Sequence, residues 1–273
     1  MTHGKAKANR ICIFLDEFMN KIEHFFASSP KAEQLFRFFS KELELPVVWP
    51  YKSWGDFASG GVTLGNVVFE LVTFQGADTT SFNGIALEPF HSMEEFEKEL
   101  DQLSIAHDTI DNSNVSKDST GALNGWSLFT PKDLLPNEAN LFVCDYKKRQ
   151  YIADGRKKIA DKLKEINGGG LGVLYLKEIV VSTSDFKKHD EQFVRLPGVT
   201  KQQNGLFSFN DGPGLRLQQD AKNCIPKIVI VVTSLKNAKA FLESKKLLGN
   251  VNANSIFILP EAMDGLQIEL VEH

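Results

Sequence analysis

One pattern recurs four times along the 273 residues and constrains the fold more than any other feature: a strand, a helix, then further strands. A unit of this kind cannot enclose a core alone, because its small sheet has one apolar face that must find a partner; repeated units therefore pair. In the first unit, residues 21–28 read as a strand and Ser29-Pro30 as a cap and first helical residue. Ala32, Leu35, Phe36, Phe39 and Leu43 follow at helical spacing. Strands near 47–49 and 61–63 lead to the strongest one, 66–73 (NVVFELVT). The second unit opens with 82–88 and has a capping box, Ser92 with Glu95, ahead of Met93, Phe96, Leu100 and Leu103. A polar stretch over 108–121 predicts an exposed loop, and 140–146 (NLFVCDY) predicts the closing strand.

The third unit comprises a strand over 174–182, a short helix near 185–194 and two strands across the turn 210–214. In the fourth, a strand over 227–233 and a helix over 235–248 precede strands at 255–259 and 266–271. Between the halves, residues 147–165 carry eight basic and three acidic side chains on a helical pattern, followed by Asn167 and three glycines. This stretch predicts a solvated linker helix and a flexible joint. The expected division is thus a first domain over 1–146, a linker over 147–172 and a second domain over 173–273.

The formal charge of −4 lacks the basic excess of a nucleic-acid binder. It is divided unevenly: residues 1–146 hold 11 Lys and Arg against 21 Asp and Glu, while the remainder holds 20 against 14. Such asymmetry leaves a homo-oligomer open. Cys12, Cys144 and Cys224 are too few and too far apart for a disulfide framework or a zinc knuckle, which points to a reducing, cytoplasmic setting. Asp16 and Glu17 interrupt the N-terminal apolar run after five residues, so neither a signal peptide nor membrane insertion is expected.

The strand, the Phe-rich helix and the closing strand Gly-Asn-Val-Val-Phe-Glu-Leu-Val (65–72), echoed at 264–271 by Asp-Gly-Leu-Gln-Ile-Glu-Leu-Val, resemble the vicinal oxygen chelate superfamily. That group includes glyoxalase I, extradiol dioxygenases and the fosfomycin and bleomycin resistance proteins. The resemblance implies an α+β fold of four βαβββ modules, paired into two cup-shaped mixed-sheet domains. It also implies that side chains from the first and last strand of each module point into the cups.

Carried over by position, the first cup presents His24, Glu70, Gly84 and Cys144, and the second presents Glu178, Gln218, Lys227 and Glu269. Strand alternation places Ile22, His24 and Phe26 on one face, and Val68, Glu70 and Val72 on another. A carboxylate between valines needs a partner when buried. The resemblance implies a divalent metal (Zn, Fe, Ni or Mn) on His24, Glu70 and Cys144, with Glu70 also able to move a proton. A mutual pairing of His24 with Glu70, and a purely apolar role for Cys144, stay open. Gly84 offers no ligand. In the second cup Glu178 and Lys227 stand where an extradiol dioxygenase carries histidines, so no metal is expected there. Lys227 and Glu269 are expected to pair, with Gln218 bonding either.

Two functions follow as expectations. One is a metal-dependent glyoxalase-like lyase or isomerase acting on a small oxygenated substrate. The other is a non-catalytic, resistance-type protein that holds a small molecule in an apolar cup, consistent with 21 Phe against 4 Tyr and with Trp49, Trp54 and Trp126 placed to line its mouth. Neither expects nucleic acid or a membrane as partner.

Overall fold

The computed structural model describes residues 20–209 and 211–273; His3, Cys12, Asp16, Glu17 and Asn210 lie outside the described residues. The first module comprises β1 (Lys21–Ser28), α1 (Ala32–Arg37), β2 (Val47–Ser53), β3 (Phe57–Thr63) and β4 (Val68–Phe74). The α1 helix passes into a π turn over Phe38–Glu42, so the predicted continuous helix is α-helical at its start and widened at its end. The second module contains β5 (Ser81–Glu88), α2 (Met93–Gln102), the small strands β6 (Ser116–Lys117) and β7 (Leu123–Asn124), then β8 (Trp126–Phe129) and β9 (Leu141–Tyr146). Its helix begins at the capping box read from Ser92 and Glu95.

After the helix α3 (Arg149–Glu165), the third module runs through β10 (Val173–Thr183), α4 (Phe186–Phe193), β11 (Thr200–Lys201), β12 (Leu206–Ser208) and β13 (Gly214–Gln219). The fourth has β14 (Cys224–Val232), α5 (Leu235–Lys245), β15 (Leu248–Val251), β16 (Ser255–Ile258) and β17 (Ile268–Glu272). Among the described residues no helix is long and apolar enough to cross a membrane.

Each module closes the same way: its first strand runs parallel to its last. This holds for β1 with β4, β5 with β9, β10 with β13 and β14 with β17. Neighbouring modules then join through their first strands, antiparallel, as β1 with β5 and β10 with β14. The two halves meet edgewise where Phe82 pairs with Ile225. The result is α+β, with four βαβββ modules paired into two curved mixed sheets.

The outer face of the first sheet is sealed by rings. Phe25 stacks on Phe69 with centroids 4.8 Å apart, and Phe39 meets Phe69 edge-on at 5.0 Å. These contacts make α1 and the π turn a fixed backing for β1 and β4, the two strands that carry His24 and Glu70.

Gly84 has a packing reason for being glycine. It pairs with Phe26 across β1 and β5, and a Cβ there would sit 1.8 Å from the Phe26 ring. The ring fills the place where a ligating side chain would stand. Gly84→Ala is therefore expected to displace Phe26 and destabilise the protein by about 1–3 kcal/mol, read as a lower urea midpoint at unchanged slope.

Candidate functional site

The site starts from an irregularity in β1. Ile22 pairs with Leu87 and His24 with Ala86, so Glu23 is an extra residue in the ladder, a β-bulge. The bulge changes the alternation: Ile22 packs in the core with Phe25, whereas His24 and Phe26 line the cup. The expectation that Ile22 shares a face with His24 is thereby corrected. The same bulge brings two consecutive polar side chains together, and the Glu23 carboxylate accepts a hydrogen bond from His24 Nδ1.

That bond settles the imidazole. Nδ1 carries the proton, because a carboxylate only accepts, and Nε2 is left with a lone pair. Nε2 lies 3.6 Å from Glu70 Oε2, too far for a direct hydrogen bond. Burial of His24 holds its pKa below the ordinary imidazole value, outweighing the opposing pull of Glu70 and Glu88. The ring is also packed edge-on against Phe142 at 5.6 Å.

Glu23 is only 1 % exposed, and its partner comes from α3: the Arg156 guanidinium forms an ion pair with it. Arg156 lies over the Tyr146 ring, 4.9 Å from its centroid, and burial lowers its pKa to about 10, leaving it charged at neutral pH. The described order is thus Arg156, Glu23, His24, then Glu70 across a gap. Glu70 is 13 % exposed at the side chain and has no cationic partner within ion-pair distance among the described residues other than this imidazole.

Above this floor lies a cavity of about 1040 Å³. Trp49, Trp54, Trp126, Phe57, Phe74 and Phe142 wall it, as the tryptophan positions lead one to expect. Trp54 and Trp126 meet edge-on at 6.0 Å, and Lys52 Nζ caps the Trp54 ring at 3.8 Å. The remaining wall is α3, through Tyr151, Ile152, Arg156 and Ile159. The linker stretch does form a helix, but it lies on the first cup instead of standing free in solvent. Ile152, Arg156 and Ile159 recur at helical spacing, so one stripe faces the cup while lysines 157, 158, 162 and 164 remain outward or at the rim.

Cys144 lines the same cavity, in contact with Tyr146. Burial pushes its thiol well above the ordinary cysteine range, which keeps it protonated. Tyr146 is raised for the same reason. Among the described residues, no three His, Cys, Asp or Glu side chains are grouped so as to hold a metal ion.

In the second cup the inward charges are mutually satisfied. Lys227 Nζ bonds Glu269 Oε2 at 2.5 Å, as expected. Burial opposes ionisation of Glu269, yet the lysine's hydrogen bond and charge prevail and hold its pKa below the usual carboxylate value. Gln218 bonds neither of them; its amide donates to Ser182 Oγ at 2.8 Å, the nearer acceptor across β10 and β13. Glu178 is held by a forked pair of bonds from Arg216, Nε at 2.9 Å and Nη2 at 2.7 Å.

No protein-family model and no curated protein matches the sequence. Solved structures do resemble the fold. A hypothetical protein from Staphylococcus aureus superposes with a TM-score of 0.61 at 9% identity, covering 93% of this chain and 99% of that one. A Mn(II)-bound glyoxalase from Novosphingobium aromaticivorans gives 0.53 at 11%, covering 93% and 82%. The 2,3-dioxygenase LapB from Pseudomonas sp. KL28 gives 0.55 at 9%, covering 93% and 92%.

The chain shares its fold with these glyoxalase and dioxygenase structures. At such identities the likeness speaks for the fold, and the donor set must be judged on its own. A catalytic zinc site takes three protein ligands. Here His24 Nε2 and Glu70 supply two, Gly84 supplies none, and among the described residues no third His, Cys, Asp or Glu is grouped with them. The residues present therefore do not fit a resident divalent ion, and a guanidinium provides the permanent positive charge on the cup floor instead.

Four residues that define these sites were not singled out in the sequence: Glu23, Tyr146, Arg156 and Arg216. Only Arg156 had a readable signal, its place between Ile152 and Ile159. Arg156→Met leaves Glu23 buried without its cation and is expected to cost about 3–5 kcal/mol in urea unfolding. Adding Glu23→Gln should recover part of that loss, a non-additivity that a double-mutant cycle reads directly.

Proposed function

We propose that this chain is a metal-independent binding protein that holds an apolar, aromatic small molecule in its first cup. The observation that carries the reading is the composition of that cup: a roomy cavity walled by three tryptophans and several phenylalanines, with His24, Glu70 and Arg156 gathered at its floor and further polar residues such as Asn114, Asn124, Lys148 and Lys158 elsewhere in its lining. Binding sites for small ligands combine large apolar walls with a few placed polar groups in this way. The α3 helix, which falls in the proposed linker 147–172, then serves the first domain as a wall. The second domain, 173–273, acts as a scaffold, because its inward charges are already paired as Lys227 with Glu269 and Arg216 with Glu178.

The lyase or isomerase reading assigns His24 and Glu70 to a metal and gives Glu70 a proton to move. It needs a third donor in the first cup, and among the described residues no third His, Cys, Asp or Glu is grouped with those two. Nothing at the cup floor favours that reading over binding.

Two measurements on the purified protein test the proposal. Titration with the neutral fluorophore N-phenyl-1-naphthylamine should give saturable binding with energy transfer from the cavity tryptophans, and elemental analysis after incubation with Mn(II) or Zn(II) and desalting should find metal far below stoichiometric. A tightly retained, stoichiometric ion that disappears in His24→Ala would overturn it.

A further inference from the structure

The floor of the first cup carries an electrostatic imbalance that the apolar walls do not explain. Glu23 is paired with Arg156 and takes the Nδ1 proton of His24 in a hydrogen bond, and burial favours the neutral ring, whose Nε2 then presents a lone pair. Glu70 Oε2 faces that lone pair across 3.6 Å. Two hydrogen-bond acceptors thus confront each other inside a cavity, with no donor between them among the described residues and with the His24 side chain 6 % exposed. Left so, both groups remain unsatisfied, which is costly in an apolar setting. The separation is short enough for one donor atom to reach both.

Other charges at the cavity do not cancel Glu70. Lys148 at the rim is engaged by Asp118 at 3.1 Å, and Arg149, one residue further, by Asp145 at 2.6 Å. Asp154, which accepts from Gln150 at 2.8 Å, and the exposed Lys158 both line the cavity and contribute opposite charges that offset one another. Arg156, Glu23, His24 and Glu70 together sum to one negative charge. That charge lies within a box of aromatic rings, whose negative faces attract cations and repel anions. The surrounding first domain is acidic, which raises the local concentration of cations further.

We infer that the ligand of the first cup is an aromatic organic cation, with an ammonium or protonated-amine N–H donated to Glu70 and His24 and its ring system held by Trp49, Trp54 and Trp126. This deepens the binding reading and rests on it. It assigns a specific chemical class: an amine protonated at neutral pH on a planar apolar body, in preference to the corresponding alcohol or acid.

A matched set of probes tests it: 1-naphthylmethylammonium, 1-naphthylmethanol and 1-naphthoate, each titrated calorimetrically at pH 7 into the full-length protein and into Glu70→Gln. The wild type should bind the ammonium at least about tenfold more tightly than the alcohol, and the acid most weakly. Glu70→Gln should lose that preference while retaining alcohol binding, which also reports that the variant is folded. Equal binding of ammonium and alcohol by the wild type, preference for the acid, or an ammonium preference that survives Glu70→Gln would overturn the inference while leaving the apolar cup as a binding site. Failure of all three probes to bind would overturn both.

Discussion

Glu23 is a carboxylate almost wholly withdrawn from water, and the organisation of the first cup follows from how that carboxylate is kept. A buried charge of this kind persists only with a geometrically sound partner and with its remaining lone pairs hydrogen-bonded. Arg156 supplies the opposite charge against Oε1, and His24 Nδ1 donates a hydrogen bond to Oε2. The consequences run in both directions along the chain. Toward α3, the ion pair pins a helix rich in lysine onto the cup. Toward β1, it orients an imidazole so that its basic nitrogen faces Glu70.

The fold is shared with a Mn(II)-bound glyoxalase, and the proposed metal-independent cup rests on the donors this chain itself supplies. A metal site in a cup of this kind needs converging donors from several strands, each deprotonated. In this chain the position on β5 is Gly84, occupied by the Phe26 ring, and among the described residues no three donors are grouped in the cup. Two acceptors remain, and the positive charge comes from a side chain. The second cup follows a parallel course by other means, with lysine and arginine each set against a glutamate.

Much of the fold was legible in the sequence because it depends on apolar periodicity and turn chemistry. Phe36 and Phe39 mark the buried face of the first helix, Ser92 and Glu95 mark a helix start, and the repeat of strand, helix and strands does recur four times. His24, Glu70 and Cys144 do reach one cavity, and Lys227 does meet Glu269. What escaped the sequence was of another kind. The bulge at Glu23 reverses the expected face of Ile22, and no residue type announces a bulge there. Gln218 turned to Ser182, a choice of nearest acceptor that alternation cannot rank. A basic, amphipathic stretch such as 147–165 reads as a solvated spacer until the surface that takes Ile152, Arg156 and Ile159 is known.

The most direct test of the central claim is anomalous diffraction from crystals of the protein soaked in Mn(II). The account predicts continuous density from Arg156 to Glu23 to His24 and no anomalous peak between His24 Nε2 and Glu70. A well-occupied peak coordinated by both of those groups, with the Arg156 guanidinium swung out of the cup, would contradict it.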